Sequence, residues 1–184
     1  MTPLTPTERA ALLGIARGAV LARLGLARAP TLPSSGPLAE PRGAFVTVHV
    51  AGDLRGCIGT FRPQSSLAET VAKMAAAAAS EDPRFRAIEA RDVGDLEISV
   101  SVLDPPRRLS DPTRVDVGRE GLVVKMGWNR GTLLPKVAVE HGWDAEMFLR
   151  HTCLKAGLPP TAWREPGCEV EAFEAEEFGE VQEA

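Results

Sequence analysis

The chain has 184 residues, of which 44% are hydrophobic, enough to bury one core or a core with a smaller second lobe. Its 25 acidic residues outnumber 21 lysines and arginines, and the net charge of -4 argues against general nucleic-acid binding. No apolar run is long enough to cross a membrane, and the first fourteen residues lack the basic and apolar regions of a signal peptide. We therefore expect a single cytoplasmic domain over residues 1–184, without a membrane partner.

Two helices are predicted from capping patterns. Thr5, Pro6 and Glu8 have the spacing of a capping box with proline at the first helical position, and apolar residues follow at helical spacing. Ser66 and Glu69 repeat the capping pattern before a helix that contains a run of five alanines. The alanines indicate close packing of this second helix against a flat surface such as a sheet.

Alternating apolar and polar residues predict strands over segments 44–50 and 96–103, and a turn at 51–53 follows the first of them. Segments 121–127 and 131–135 predict a hairpin whose loop is longer than two residues.

A last helix begins after Asp144, with Gly157 just beyond its end, and segment 168–178 has the pattern of a last strand. Hairpins combined with separate helices favour an α+β fold with a largely antiparallel sheet flanked by helices.

The stretch that predicts a functional site is LRGCIGTF, residues 54–61. Because glycine is unfavourable inside a strand, we expect Gly56 and Gly59 to end the returning strand with positive φ angles. Cys57 and Ile58 then lie on a turn with accessible N–H groups, and Ile58 points inward. Arg55 lies on the side of Cys57, where a guanidinium and amide groups favour the thiolate. The alternative is a small buried thiol in a bulged strand.

Two other groups of polar residues accompany this stretch. One is a polar face on the predicted strand 96–103, which is either part of a site or a solvated sheet face. The other is a loop flanked by glycines, which either binds an anion or supplies turn residues. Their members are Glu97, Ser99 and Ser101 on the strand and Trp128, Asn129 and Arg130 on the loop.

The metal-ligating residue types do not form a recognisable pattern. His49, His141 and His151 lack metal-ligand spacing, and we expect structural histidines with satisfied hydrogen bonds. The three cysteines form no CxxC pair, which predicts free thiols and no zinc site or iron–sulfur cluster. No metal site is predicted.

Five segments, in chain order, resemble successive blocks of the AMMECR domain, whose bacterial and archaeal members carry the name AmmeMemoRadiSam system protein A. The segments are PRGAFVTVHVAGDLRGCIGTFRP, DPRF, LEISVSVLDPP, GLVVKMGWNRGTLLPKVAVEHGW and FLRHTCLKAGLPPTAW. The resemblance implies a two-lobed α+β fold with an antiparallel sheet in the larger lobe. It also implies that the LRGCIG block lies beside a cleft between the lobes. The molecular activity of this family is not established.

The family signature falls on residues in four parts of the chain. Two departures from it are Arg86-Ala87, where many relatives have two prolines, and Lys136, where they have glutamine. Because Lys136 has no side-chain amide, either the position lacks the role that glutamine has in those relatives, or it binds anions instead. The matching positions are Leu54, Arg55, Gly56, Cys57, Ile58, Gly59, Asp82, Pro83, Arg84, Phe85, Glu97, Ser99, Arg130, Gly131, Leu134 and Pro135.

Two functions follow as hypotheses. In the first, an enzyme or catalytic accessory uses Cys57 as a nucleophile or sulfur carrier, Arg55 supports the thiolate, and Glu97 accepts or orients a proton. The family name implies Memo-type and radical SAM proteins as partners in one modification system. The sequence does not identify a cofactor.

In the second, a binding module recognises a small anionic ligand, a partner protein or a structured RNA, and no bond is broken. A third reading, a scaffold alone, predicts neither a ligand nor a reactive thiol. The predicted ligand-binding residues are Gly56, Ile58, Gly59, Arg84, Ser99 and Arg130.

Overall fold

The computed structural model describes residues 3–61 and 63–180, which form two compact units. Unit 1 comprises the chain up to Leu103 and from Glu176 onward, and unit 2 comprises Asp104–Ala175. The helices are α1 (Pro6–Arg23), α2 (Leu67–Ser80), α3 (Pro135–Glu140) and α4 (Ala145–Lys155). The strands are β1 (Gly43–Val50), β2 (Asp53–Thr60), β3 (Leu96–Leu103), β4 (Arg107–Arg108), β5 (Glu120–Met126), β6 (Asn129–Leu133) and β7 (Glu169–Gly179).

Unit 1 is an antiparallel sheet with two helices on one face. Its strands have the order β2-β1-β3, and the C-terminal end of β7 follows β3. Val46, Val48, Ile98 and Val100 alternate with polar residues and are buried with the apolar faces of α1 and α2. The alternation predicted for segments 44–50 and 96–103 is confirmed.

Unit 2 contains β4, β5, β6 and the first part of β7, with α3 and α4. The strands pair antiparallel, with β5 between β7 and β6. Asp144 caps α4 as predicted, since its carboxylate accepts the Met147 N–H at 2.8 Å. Helix α3 was not predicted from the sequence. The α+β class with an antiparallel sheet and flanking helices is confirmed.

The predicted capping box is complete in α1 and half formed in α2. The Thr5 hydroxyl accepts the Glu8 N–H, and the Glu8 carboxylate accepts the Thr5 N–H. In α2 the Ser66 hydroxyl accepts the Glu69 N–H at 3.2 Å. The Glu69 carboxylate instead pairs with Lys73 one turn later, at 2.7 Å.

Both hairpins have two-residue turns. Ala51 and Gly52 both have positive φ, at 51° and 82°, as a type I′ turn requires, and the predicted turn is confirmed. In the second hairpin Met126 pairs with Asn129, so the prediction of a longer loop is wrong. Asn129 continues the strand because its side-chain amide donates to the Ala156 and Gly157 carbonyls beyond α4.

The stretch 54–61 is not a turn. Residues 53–60 form one strand, and neither Gly56 nor Gly59 has a positive φ. The glycines are required by close approach instead. A Cβ at Gly56 would lie 2.0 Å from the Ala78 carbonyl oxygen of α2, and one at Gly59 would lie 2.3 Å from the Phe45 ring. The alanine-rich helix therefore packs closely on the sheet, as predicted.

None of the helices in the described part of the chain is both long enough and apolar enough to span a membrane.

Gly56→Ala is expected to destabilise the protein by about 3 kcal/mol, because the new methyl group overlaps helix backbone that cannot rotate away. Gly14→Ala is the matched control. Gly14 lies in α1 with nothing within 4 Å of the added Cβ, so this variant should be about 0.5–1 kcal/mol more stable than wild type. Urea unfolding at pH 7 measures both. A Gly56→Ala variant as stable as wild type would contradict the close approach of α2.

Candidate functional site

The face of the unit 1 sheet that is turned away from α1 and α2 carries the predicted site residues of β2 and β3. Thr47 lies on this face of β1, with Cys57 opposite it on β2 and Ser99 opposite it on β3. His49 lies one step further along β1, opposite Glu97 on β3. We call these five residues the polar face. Sheet register alone brings them together, since they come from three separate segments.

Cys57 is the half-buried thiol of this face. The Thr47 hydroxyl donates a hydrogen bond to Cys57 Sγ at 3.2 Å. The other cysteines lie in unit 2, where Cys153 is fully buried and burial raises the pKa of both the Cys153 and the Cys168 thiol.

Asp82 fixes the outer edge of β2 at Cys57. Its buried carboxylate accepts the Cys57 backbone N–H at 2.9 Å. The same carboxylate accepts two bonds from the Arg84 guanidinium, at 2.9 and 2.7 Å, and Arg84 also donates to the Cys57 carbonyl at 3.4 Å. The predicted accessible N–H of Cys57 is therefore wrong, because this amide is already bonded.

The Asp82–Arg84 pair is charged. The Arg84 guanidinium, assisted by the Cys57 and Arg84 amides, holds the pKa of Asp82 well below its ordinary value and outweighs the opposing effect of burial. The pKa of Arg84 is raised, chiefly by Asp82 and to a smaller degree by the Cys57 thiolate. The Arg84 side chain is 56% exposed, so it presents an oriented positive charge to solvent beside Cys57.

Arg55 does not supply the positive charge beside Cys57. It is the extra residue of a bulge, because β1 shifts register between Val48 and His49 opposite it. Its guanidinium donates to the Arg86 carbonyl at 3.1 Å. The positive charge that contacts Cys57 comes from Arg84, which only the family signature indicated.

The other predicted residues lie in three places, which are the side of β2 that faces the helices, strand β3, and strand β6 of unit 2. Gly56 and Ile58 face the helices, and Ile58 packs against the core as expected. Glu97 lies two strands from Cys57 and two residues further along, which separates their backbones by about 12 Å. Ser101, two residues beyond Ser99, is buried rather than solvated. Arg130 lies in unit 2 on β6, opposite Lys125.

The histidines divide into two kinds. His151 is stacked on Trp143 with ring centroids 3.9 Å apart, as a structural histidine. His49 was expected to be satisfied as well, and this is wrong. Its imidazole is half-buried and has no hydrogen-bond or ion-pair partner among residues 3–61 and 63–180. Within those residues no three histidine, cysteine or acidic side chains are grouped to hold a metal ion.

Comparison with known proteins gives a consistent result. The family model described as AMMECR1 matches residues 13–178. A protein of Methanothermobacter thermautotrophicus is 42% identical over 97% of both chains, and protein MK0488 of Methanopyrus kandleri is 44% identical over 82% of this chain and 77% of its own. The crystal structure of uncharacterized protein PH0010 from Pyrococcus horikoshii covers 96% of this chain and 93% of its own, with a TM-score of 0.87 and 38% identity.

Asp82→Asn is expected to lower the free energy of unfolding at pH 7 by about 2 kcal/mol, because the buried carboxylate loses its charge and one acceptor. The folded-state pKa of Asp82 is depressed, so its stabilisation is complete above the ordinary value of 3.8 and is lost as pH falls below it. The difference from wild type should therefore be about 1 kcal/mol smaller at pH 3 than at pH 7.

Urea unfolding at several pH values measures this difference, with the exposed Asp116→Asn as the control. An Asp82→Asn penalty that is absent at pH 7, or that grows as the pH falls, would contradict the charged pair.

Proposed function

The chain belongs to the AMMECR1 family, and on that premise we propose that it is an enzyme or catalytic accessory whose reactive group is the Cys57 thiol. The observation that carries the proposal is the hydrogen bond from the Thr47 hydroxyl to Cys57 Sγ. The bond lies on the sheet face opposite α1 and α2, where Cys57 is half-buried rather than sealed in the core. The exposed guanidinium of Arg84 supports it with a positive charge beside the same residue.

Cys57 acts as a nucleophile or as a sulfur carrier in a modification reaction. As a nucleophile, the thiol first loses its proton, and a sulfur lone pair then forms a bond to an electrophilic carbon of the substrate. The leaving group departs with the electron pair of the bond that breaks. The thiolate is stabilised meanwhile by the Thr47 hydroxyl, and Arg84 orients a negatively charged part of the substrate.

The proposed setting is a cytoplasmic modification system with Memo-type and radical SAM partners. Family membership supports this part of the proposal, since the name of the bacterial and archaeal members groups the three proteins. In such a system the chain would present Cys57 to a substrate that a partner prepares or consumes.

A second candidate function is non-covalent recognition of an anion. The observation that favours it is the Arg84 guanidinium, which Asp82 holds from one side while more than half of the side chain stays exposed. Asp82 occupies the Nε and Nη2 donors of Arg84, so an added anion would meet the positive charge and the Nη1 donors. In this function Cys57 lies at the site without forming a bond.

Alkylation by iodoacetamide at pH 7 tests the thiol. We expect Cys57 to be modified at least about tenfold faster than Cys153, which is fully buried. Thr47→Val should slow the Cys57 reaction about fivefold, because the thiolate loses one hydrogen bond worth about 1 kcal/mol. Thr132→Val on β6 is the control and should leave the rate unchanged. Mass spectrometry of each cysteine peptide measures the rates, and a Cys57 as slow as Cys153 would end the proposal.

Inorganic pyrophosphate, followed by its effect on the thermal unfolding midpoint, tests whether Arg84 binds an anion. Arg84→Gln should weaken binding about tenfold, because the exposed positive charge and the guanidinium donors that Asp82 does not use are lost. Cys57→Ser should bind as wild type does, and so should the control Arg91→Gln, which removes an exposed arginine elsewhere in unit 1. Binding that Arg84→Gln leaves unchanged would rule out the anion site at Arg84.

A further inference from the structure

His49 lies beside both of the other titratable members of the polar face. On β3 its direct partner is Glu97. On β2 its direct partner is Leu54, and Cys57 is the next titratable residue on the same face, because Cys57 pairs with Thr47 and residues two apart on β1 share a face. The imidazole therefore occupies the middle strand, between a thiol on one side and a carboxylate on the other.

These positions are within reach of side-chain contact. In an antiparallel sheet, directly opposed residues have Cβ atoms about 5 Å apart, and diagonal neighbours are about 7–8 Å apart, a gap that an aromatic side chain spans. The bulge at Arg55 lies beside His49, so β2 departs from regular pairing with β1 at this position. The side chains of His49, Glu97 and Cys57 therefore lie on one face of the sheet, on adjacent strands.

The two side chains have no competing structural role. Neither His49 nor Glu97 has a hydrogen-bond or ion-pair partner within the described ranges 3–61 and 63–180. Both are half-buried, although most of their neighbours on β1 and β3 are buried and apolar. A partly buried imidazole without a partner in the middle strand of a sheet brings no stability of its own.

We infer that His49 is the base that takes the Cys57 proton and that Glu97 is the residue that positions His49. This inference rests on the proposed thiol function and assigns its proton acceptor. The Cys57 S–H bond breaks, its electron pair stays on sulfur, and an N–H bond forms on the imidazole. The Glu97 carboxylate accepts the other ring N–H and stabilises the imidazolium, and no oxidant or reductant takes part.

This assignment differs from the one expected from the sequence, which gave the proton-accepting role to Glu97 itself. The register places β1 between Glu97 and Cys57, and His49 stands on β1 between them. Glu97 therefore acts through His49.

Other charged groups lie near His49 on the elements that pack against β1 in unit 1. Strand β2 and the 3₁₀ helix Ala90–Asp95 supply them, in addition to Glu97 on β3. Arg55 is drawn towards the Arg86 carbonyl, and Asp92 is paired with Arg86. The full set is Asp53, Arg55, Cys57, Arg91, Asp92, Asp95 and Glu97.

The test is the rate of Cys57 alkylation by iodoacetamide from pH 5 to pH 10 in the full chain. In wild type we expect two steps in the plot of alkylation rate against pH. A thiolate–imidazolium pair gives the first step, below pH 7, which we call the lower limb. Ordinary thiol ionisation gives the second step at higher pH. His49→Gln should remove the lower limb and slow the reaction at pH 6 roughly tenfold. Glu97→Gln should weaken the lower limb by a smaller factor, because the imidazolium loses its carboxylate.

His141→Gln in unit 2 is the control and should match wild type at every pH. The imidazole resonances of His49, followed by NMR across the same pH range, should move in Cys57→Ser, because the imidazole loses the thiol from which it takes the proton. Circular dichroism confirms that each variant is folded.

The outcomes separate the inference from the function on which it rests. If Cys57 reacts rapidly but the His49→Gln profile coincides with that of wild type, His49 is not the base and the thiol function survives. If Cys57 is as unreactive as Cys153 in wild type, the thiol function itself fails. Loss of the lower limb in His49→Gln and a smaller decrease of it in Glu97→Gln, with His141→Gln unchanged, supports the inference.

Discussion

The bond that the candidate site depends on joins the Asp82 carboxylate to the Cys57 backbone amide. Strand β2 is the edge strand of the unit 1 sheet, so its outer N–H and C=O groups lack a neighbouring strand. At Cys57 the Asp82 carboxylate and the Arg84 guanidinium take the place of that strand, one as acceptor and the other as donor. The same two side chains also bind each other, so the charge beside Cys57 is fixed in position.

This arrangement depends on the close packing of α2 against β2. Gly56 lets the backbone of α2 approach β2, and Asp82 follows the end of α2 by two residues. A side chain at Gly56 would push the helix away and move Asp82 with it. Successive residues of β2 point to opposite faces of the sheet. Gly56 and Ile58 therefore contact the core, and Cys57 lies on the polar face.

Local sequence signals predicted much of the fold because their causes are local. Thr5 and Asp144 cap helices through bonds within three residues, and the alternation from Leu96 to Leu103 reports which face is buried. The same reasoning misread Gly56 and Gly59, since a glycine needed for a turn and a glycine needed for contact with a distant helix look alike in the sequence. It also missed α3, which spans only six residues and has no side-chain cap.

The sequence by itself determined the fold class, the caps and the buried faces, because residue type and spacing record them, and it named Cys57 as a candidate reactive residue. Tertiary structure decided which groups surround the thiol. Thr47, Asp82 and Arg84 lie 10, 25 and 27 residues from Cys57 and meet it only through strand register and the end of α2. It also placed His49, which the sequence indicated as structural, on the polar face without a partner. Contacts between segments depend on how elements pack, and that information is not carried by any one segment.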